Sequence, residues 1–539
     1  MSVLIYFVNW VSLKTVQRRR QPKVPTPGSS RKKFAKTLDH VIQPTYAESD
    51  KTLKQIGTPA QMERSVFFKP ADGWVGDLIP FEKDGEFWLF YLHEVRADPK
   101  PGTSWNLVTT KDLTQFEDHG VALQHGSETD LDFNAYTGSV VVDEAGIHHL
   151  FYTGQNPRNL GPDGAPLQLV MQATSRDGMQ TWVKHPELTF GAPDGYESGD
   201  WRDPFVFRDQ AAGLWRMLLA ARHSTGPERR RGVIAQCVSS DLLTWQHTEP
   251  FWDPRRYITH ECPDVFEWGD WWYMVYSEFS ESFTTRYRMA KSPDGPWTVP
   301  DLDSVDGRAF YAAKTAGRDG RRFFFGWIAS KEGNTDGGPW QWAGTMSVLE
   351  ARQNPDGTLG FGIADELVDS FWDDVPVSLA NQLPTRLDAP DGYTAVVSDD
   401  VLPAQFHATA VLDIEPGTTE CGLLLRSSQD GDQSYVLRLE PKRGRMVFDR
   451  WPRKITGDAQ WHVSGDVPFD IELERPCHLP PGKHTLEVVV DGDLCVAVLD
   501  RQVALSTRIY DLPAGRLGVF TGEGSTTLTE LQIRKRTDN

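Results

Sequence analysis

Cysteine and positive charge are scarce in this chain. Its five cysteines among 539 residues are odd in number and include no CxxC pair, so neither a disulfide framework nor a zinc site is indicated. They are Cys237, Cys262, Cys421, Cys477 and Cys495. A net charge of -19 argues against a binder of the phosphate backbone, so we expect no nucleic-acid partner and a neutral or cationic ligand. No HExxH motif, Cys/His cluster or phosphate loop occurs, and we expect no metal and no cofactor.

Long apolar runs are scarce at the N-terminus as well. The apolar stretch 3–13 is too short to span a bilayer. Its basic cluster, at 18–20, follows it, whereas a secretory signal carries its positive charge in front. We therefore expect a flexible arm over residues 1–60, no membrane partner and a cytoplasmic location. A weak membrane anchor or a degenerate export signal is the alternative.

Aromatic and turn residues are abundant instead. The chain has 19 Trp, 27 Phe, 14 Tyr, 46 Gly and 36 Pro, which suits short strands joined by many turns and indicates an all-β protein. Its length favours at least two domains. Aromatic-rich strand patterns recur about every 50 to 65 residues from about residue 66, which predicts a five-bladed β-propeller over residues 61–362. They lie at 87–91, 148–152, 214–218, 271–276 and 322–327.

Three acidic residues each open a strand-like apolar segment: Asp77, Asp203 and Glu261. An ionised carboxylate in such a place needs a partner or a functional reason. The inner strands of a propeller converge on its central channel and carry their leading side chains into it. We therefore expect these three carboxyl groups to meet in one pocket.

The segments around these acids resemble the motifs of glycoside hydrolase family 32, which contains invertases, inulinases, levanases and fructosyltransferases. GWVGD at 73–77, RDP at 202–204 and ECPD at 261–264 follow the order and spacing of the family's three acidic motifs. YTGS at 136–139, FYA at 310–312 and WAGTMS at 342–347 add to the resemblance. VDG at 490–492 and STRIY at 506–510 are similar to the family's C-terminal β-sandwich, which we place at 363–539.

The resemblance implies a retaining glycosidase that acts on β-D-fructofuranosides. It implies Asp77 as the nucleophile, Glu261 as the acid/base and Asp203 as the residue that binds fructosyl hydroxyls and stabilises the transition state. Arg202 would hold Asp203 in its ionised form. Crowding by the other two acids should raise the pKa of Glu261, which must stay protonated near neutrality. Further substrate contacts are expected from Trp74, Trp105, Tyr136, Ser139, Arg202, Tyr311 and Trp342.

The loop around the predicted nucleophile departs from the family pattern. Gly76 stands where members usually have Asn, and Leu78-Ile79-Pro80 stands where they have Pro-Asn-Gly. Leu92-His93-Glu94 replaces a usual glutamine, and Ala309 replaces a common Asp. Because two amide contacts are lost, we expect a reshaped fructosyl pocket and a poor reaction with sucrose. His93 or Glu94 would supply replacement hydrogen bonds, or would form an exposed loop pair.

Two further functions share this fold. A fructosyltransferase, including an intramolecular one of the difructose-anhydride type, would use the same three acids, because water exclusion and acceptor binding decide between the outcomes. A non-catalytic carbohydrate-binding propeller is the other. A related five-bladed family acting on arabinosides lacks the C-terminal sandwich pattern. The fructoside, its linkage and the oligomeric state stay open, with a homo-oligomer among the alternatives.

Overall fold

The computed structural model describes residues 65–452 and 472–536. The arm predicted over residues 1–60 lies outside these residues. Within them the protein is all-β, as predicted, with strands that pair antiparallel throughout. No helix in the described ranges is long and apolar enough to cross a membrane.

The N-terminal part consists of five consecutive groups of strands, and each group pairs its strands in sequence order. The first group is β1 (Trp74–Lys83), β2 (Glu86–Glu94), β3 (Trp105–Thr110) and β4 (Glu117–Leu123). The second is β5 (Asn134–Val142), β6 (His148–Leu160), β7 (Pro166–Ser175) and β8 (Val183–Lys184). The third is β9 (Tyr196–Asp209), β10 (Leu214–His223), β11 (Gly232–Ser239) and β12 (Gln246–His247).

The last two groups complete this part of the chain. The fourth is β13 (Glu261–Trp268), β14 (Trp271–Glu278) and β15 (Thr284–Ala290). The fifth is β16 (Phe310–Arg318), β17 (Arg321–Lys331), β18 (Trp340–Gln353) and β19 (Leu359–Ile363). β18 also pairs with β1 through Gly344 and Val75, so the last group closes onto the first. The five aromatic-rich patterns predicted from the sequence lie in the second strand of each group, where they pack between neighbours.

The C-terminal part is a single hydrogen-bonded sheet of 11 strands. It follows the short helix α1 (Asp365–Asp369). Its strands are β20 (Asp373–Asp374), β21 (Thr385–Val401), β22 (Gln405–Ile414), β23 (Glu420–Ser427), β24 (Ser434–Glu440), β25 (Arg445–Trp451), β26 (Glu472–Pro476), β27 (Gly482–Asp491), β28 (Leu494–Leu499), β29 (Val503–Arg508) and β30 (Arg516–Lys535). Single 3-10 turns lie at Pro186–Leu188, Glu228–Arg230, Glu332–Asn334, Ser378–Gln382 and Pro441–Arg443. The long strand β30 pairs with β21, β22 and β23 and so links both halves of the sheet.

One hydrophobic core joins the strand groups to the C-terminal sheet. It includes Phe87, Phe266 and Phe325 of the first, fourth and fifth groups, together with Leu505 and Val519 of the sheet. Each is removed from water, and this burial is the main favourable contribution to folding. The two parts of the chain therefore share a continuous apolar interior.

The STRIY segment at 506–510 lies on this contact. Arg508, at the end of β29, is buried and donates hydrogen bonds to the carbonyl oxygens of Ile328 and Ala329 and to the Thr345 hydroxyl. It also pairs with Asp493 at 2.9 Å. A buried guanidinium needs such a full set of acceptors. The segment therefore docks the C-terminal sheet against β17 and β18.

Candidate active site

A β-bulge interrupts the first strand of every group near its start. The pairing register shifts between Val75 and Leu78 in β1, between Tyr136 and Gly138 in β5, and between Tyr311 and Lys314 in β16. β9 and β13 show the same shift at 202–205 and 261–264. A bulge bends its strand and re-aims a side chain. All the acids predicted as catalytic lie at these bulges, and the contacts between them show that the five bulges meet.

Asp77 lies in the bulge of β1 and is half-buried. Its Oδ2 accepts a hydrogen bond from the Thr137 hydroxyl at 2.5 Å, and its Oδ1 accepts one from the Trp327 indole N–H at 3.0 Å. Burial raises the pKa of this carboxyl, and so does the nearby Asp203, whereas the two hydrogen bonds lower it. The two donors come from different groups, so they fix the plane of the carboxylate.

Asp203 lies in β9 with a left-handed backbone, at a φ of 56°. Its N–H donates to the Thr153 hydroxyl at 2.8 Å, and its Oδ2 accepts the Cys262 N–H at 2.9 Å. Asp is one of the few residues that tolerate this conformation. Within the described residues Oδ1 accepts no hydrogen bond, so it is available to a ligand hydroxyl.

Glu261 begins β13 and is buried. Its Oε1 accepts a hydrogen bond from Arg202 at 3.1 Å, and its Oε2 accepts one from the Tyr311 hydroxyl at 2.6 Å. Burial raises the pKa of Glu261 to about 7, with further increases from Asp203 and Asp77, although Arg202 and Tyr311 lower it. The expected crowding by the other two acids therefore contributes, but burial is the larger cause.

Arg202 is the central cation of the site. Its guanidinium contacts Asp200 and Glu261 and approaches Asp203 at 3.8 Å. Burial alone would lower the pKa of Arg202, but the three acids outweigh it, and the net pKa is raised. The guanidinium therefore stays charged. The guanidinium therefore binds Glu261 more closely than Asp203, which was its predicted partner.

Three of the predicted substrate contacts surround the acids. Tyr311 binds Glu261 and stacks on Phe283, with ring centroids 4.1 Å apart. Trp342 is half-buried and packs edge-on against Trp327 at 6.2 Å. Tyr136 is half-buried at the bulge of β5, next to the residue that binds Asp77. Tyr311 thus contacts an acid directly, whereas Trp342 and Tyr136 adjoin the residues that bind Asp77.

Trp74 lies at the start of β1 between two cations. The Lys69 ammonium is 4.3 Å from its ring centroid, and the Arg96 guanidinium is 4.4 Å from it. Arg96 also donates to the carbonyl oxygen of Trp342 at 2.9 Å. Cations over an aromatic face stabilise its orientation. Trp74 and Trp342 are thereby linked at the edge of the site.

Trp105 and Ser139, also predicted as substrate contacts, are buried and hold neighbouring backbone. The Trp105 indole donates to the carbonyl oxygen of Tyr136 at 3.1 Å. The Ser139 hydroxyl donates to the carbonyl oxygen of Pro204 at 2.9 Å and accepts the Val206 N–H at 3.0 Å. Both donor and acceptor of Ser139 are thus used in joining β5 to β9. Contact of either residue with a substrate stays a prediction.

The unusual nucleophile loop has a packing reason. A Cβ added to Gly76 would lie 2.7 Å from Cη2 of Trp342 and 3.0 Å from Cβ of Leu92, so a larger residue would force this ring to move. Leu78 and Ile79 are buried in the core rather than turned to the site. Apolar packing therefore replaces the amides that family members carry at these positions.

His93 and Glu94, considered as replacement hydrogen-bond donors or acceptors, end β2 and contact residues outside that strand. His93 Nε2 lies 3.2 Å from Asp72. Glu94 Oε1 accepts the Arg96 N–H at 3.2 Å, and its Oε2 pairs with Lys100 at 2.5 Å. The Lys100 ammonium is in turn 5.4 Å from the ring centroid of Trp342. Through Arg96 and Lys100 this loop supports the two tryptophans at the rim.

Four further side chains act on the acids or on Arg202 and were not identified from the sequence: Thr137, Asp200, Lys314 and Trp327. Thr137 sits inside the YTGS segment and Asp200 lies two residues before RDP, so proximity to a motif was the available signal. Trp327 was assigned to a core strand, and only its indole N–H distinguishes it. The remaining residue, Lys314, follows FYA in β16 and carries a buried charge.

Two of the carboxyl groups in the site differ in their hydrogen-bond partners. Asp77 is oriented by two donors, and Glu261 is the carboxyl whose pKa lies near 7. Burial raises the pKa of both groups. Two neighbouring carboxyl groups are what most glycoside hydrolases use to cleave their substrate.

Comparison with known proteins agrees with this chemistry. The family model described as the N-terminal domain of glycosyl hydrolases family 32 matches residues 67–353. Because the match covers more than half of the chain, the protein belongs to glycosyl hydrolases family 32. The matched range includes every strand of the five groups apart from β19, which ends the fifth group.

Individual relatives are similar at low identity. Sucrose-6-phosphate hydrolase of Escherichia coli is 28% identical over 310 residues, with 54% of this chain and 62% of that protein covered. Levanbiose-producing levanase of Bacillus subtilis is 23% identical over 514 residues, covering 87% and 89%. Among solved structures, fructan 1-exohydrolase IIa of Cichorium intybus in complex with 1-kestose has a TM-score of 0.70 at 18% identity, covering 89% and 98%. That structure supports the fold alone.

Proposed function

We propose that the protein is a retaining glycosidase of β-D-fructofuranosides. The observation that carries this proposal is that Asp77, whose two oxygens each accept a hydrogen bond from a neighbouring strand group, shares one site with Glu261, whose pKa burial raises to about 7. The similarity of the protein to a sucrose-6-phosphate hydrolase and to a levanbiose-producing levanase favours a fructoside as the substrate class. We infer that the five strand groups are the five blades of a propeller, at 61–362, and that the C-terminal sheet is a β-sandwich, at 363–539.

In the first step Asp77 attacks the anomeric carbon of the fructosyl unit. The bond from that carbon to the leaving oxygen breaks, and Glu261 transfers its proton to this oxygen. The product is an ester between Asp77 and the sugar. The hydrogen bonds from Thr137 and Trp327 keep the attacking carboxylate in one orientation, which lowers the entropic part of the barrier.

In the second step water replaces the leaving group. Glu261, now ionised and held by Arg202 and Tyr311, takes a proton from the water as the water oxygen attacks the anomeric carbon, and the bond between that carbon and the Asp77 oxygen breaks. Asp77 leaves as a carboxylate. Asp203 would accept a sugar hydroxyl at Oδ1 and stabilise the positive charge that develops on the ring in both transition states.

Transfer to a sugar hydroxyl instead of water would use the same two steps. The full set of acids and the family membership argue against a non-catalytic propeller. Cytoplasmic location and the lack of nucleic-acid and membrane partners stay predictions from the sequence, and the oligomeric state stays open.

The proposal is tested by incubating the protein with sucrose, inulin-type and levan-type oligosaccharides and difructose compounds. Free fructose measured by chromatography would report hydrolysis, and new oligosaccharides or a cyclic dimer would report transfer. NMR of the first product should show the β-anomer before mutarotation. The matched control is Asp77→Asn, which cannot form the ester. Turnover of none of these compounds, or unchanged turnover in the variant, would contradict the proposal.

A further inference from the structure

β9 has a second irregularity just before Arg202. Residues 197–200 of this strand stand opposite a single residue of β10, Arg222. The segment contains two acids, Glu197 and Asp200. The guanidinium of Arg222 contacts both of them, Glu197 at 2.9 Å and Asp200 at 3.6 Å. The extra residues of β9 therefore place two acids around one buried cation.

Asp200 is also a direct partner of Arg202. Its Oδ1 accepts a hydrogen bond from Nη1 of Arg202, to which Gln168 of β7 lies at 3.3 Å. Nη2 of the same guanidinium donates to Glu261 at 3.1 Å. Because a guanidinium is planar and its nitrogens form a rigid fork, a carboxylate that fixes one nitrogen also fixes the direction of the other. Asp200 therefore determines where the cation meets Glu261.

These contacts form a chain of alternating charge that ends at Glu261. From the outside inwards the chain consists of Arg231, Glu197, Arg222, Asp200, Arg202 and Glu261. Asp200 is only 4% exposed, so water screens its charge weakly. Burial raises the pKa of Asp200, whereas its two guanidinium partners lower it and hold its charged form. The negative charge of Asp200 therefore offsets part of the positive charge that Arg202 presents to Glu261.

Other titratable groups face Arg202 and Glu261 from neighbouring strands. They are Asp203 of β9, which approaches Arg202 at 3.8 Å, Tyr311 of β16, which donates to Glu261, Cys262 of β13 and Asp77 of β1. All of them remain when Asp200 is substituted. A change in the titration of Glu261 would therefore report the loss of Asp200.

We propose that Asp200 is a positioning residue for the catalytic acid, which holds the Arg202 guanidinium against Glu261 and shares its charge. This inference rests on the proposed role of Glu261. Without the charge of Asp200, Arg202 would favour the ionised form of Glu261 more strongly, so the pKa of Glu261 should fall. Because kcat/KM falls as Glu261 loses its proton, the basic limb of the pH profile should move to lower pH.

The experiment measures kcat/KM against pH with a cleaved fructoside. Asp200→Asn keeps an oxygen that Arg202 can bind but removes the charge, and Asp200→Ala removes both. Glu197→Gln removes the charge of the outer acid in the chain. The matched control is Asp209→Asn, because Asp209 is a buried acid at the other end of β9 whose partner is Arg216. Thermal unfolding of each variant reports its stability.

We expect Asp200→Asn to move the basic limb down by about one pH unit, which is about a tenfold loss of kcat/KM above the limb. Asp200→Ala should also lose activity below the limb, because Arg202 is no longer held. Glu197→Gln should move the limb in the same direction by less, and Asp209→Asn should leave it in place. For a fructoside whose leaving group needs no protonation, the loss in Asp200→Asn should be much smaller.

An unmoved or raised limb in Asp200→Asn, an equal shift in Asp209→Asn, or an equal loss for all leaving groups would overturn the inference. Should both Asp200 variants fail to fold, Glu197→Gln decides in their place, since Glu197 is only half-buried. An unmoved limb in that variant would then overturn the inference. A wild type that cleaves no fructoside would instead contradict the proposed function.

Discussion

Gly76 and Trp342 allow a quantitative test of the reshaped nucleophile loop. In Gly76→Ala the new Cβ would lie 2.7 Å from Cη2 and 2.9 Å from Cζ2 of Trp342. Carbon atoms normally pack at about 3.5 to 4.0 Å, so the overlap is on the order of 0.8 Å. Because Trp342 is only half-buried, its ring should swing away rather than force the strand apart. Overpacking of this kind costs about 1 to 3 kcal/mol of unfolding free energy.

The origin of that cost can be isolated with a double-mutant cycle. Trp342→Ala removes the ring, so Gly76→Ala should cost less in that background, with a coupling on the order of 1 kcal/mol. Part of the cost should persist, because Leu92 Cβ would still lie 3.0 Å from the new atom. Gly392→Ala is the matched control, since nothing lies within 4 Å of its Cβ and its backbone is not left-handed. Its effect should be within about 0.5 kcal/mol.

The assay combines urea unfolding with kcat/KM for the best fructoside. If Trp342 contacts the substrate, Gly76→Ala should raise KM as the ring is displaced, and Trp342→Ala should raise it similarly. The two effects should not add, because both remove the same surface. A neutral Gly76→Ala, or costs that add fully in the double variant, would show that the ring does not determine the choice of glycine.

Further expectations concern the chemistry. Burial raises the pKa of Asp77 and brings that of Glu261 to about 7, so kcat/KM should rise with pH as Asp77 ionises and fall through about 7 as Glu261 loses its proton; activity that stays constant well above that value would exclude Glu261 as the acid. Glu261→Gln should lose less activity with fructosides whose leaving group needs no protonation, and an equal loss for all leaving groups would contradict the acid role. Activity should survive dialysis against EDTA, and a loss that a divalent ion restores would refute the expectation of a metal-free reaction. Sucrose should show a lower kcat/KM than fructo-oligosaccharides or difructose compounds, because a buried sugar hydroxyl without a partner costs about 1 to 3 kcal/mol; sucrose as the best substrate would show that the loop substitutions are neutral.

The order of strands and the meeting of the three acids were predictable from the sequence. Aromatic-rich patterns at a regular spacing predict paired strands, because such residues fit a pleated surface buried between neighbours. Acidic residues at the start of an apolar strand are informative because they do not suit burial. An unpaired buried charge is costly, so its presence indicates a partner or a function. Asp77, Asp203 and Glu261 satisfy this criterion, and the structure places all three at adjoining bulges.

The bulges of β9, β13 and β16 lack the glycine that marks those of β1 and β5, at Gly76 and Gly138. Asp203, Cys262 and Ala312 adopt left-handed backbone with φ of 56°, 50° and 54°. Glycine or asparagine would have indicated such a conformation, whereas Cys and Ala do not. The hydrogen-bond partners of Asp77 were not predictable either. Thr137 and Trp327 lie in strands whose residue patterns core packing alone explains. Hydrogen-bond direction depends on tertiary placement, which the linear pattern does not record.

Because the first strand of each group has a bulge, equivalent positions in different groups bring different side chains to the same site. After the bulge, equivalent places are occupied by Asp264 in β13 and by Lys314 in β16, and before it by Glu261 and Tyr311. Tyr311 donates to Glu261, and Lys314 acts on Asp264. Each layer of the site thus pairs a group that carries or accepts negative charge with a donor from the next strand group. Both pairs lie on the same two strands, β13 and β16, on opposite sides of the bulge, so substitution within a pair should alter protonation on its own side of the bulge first.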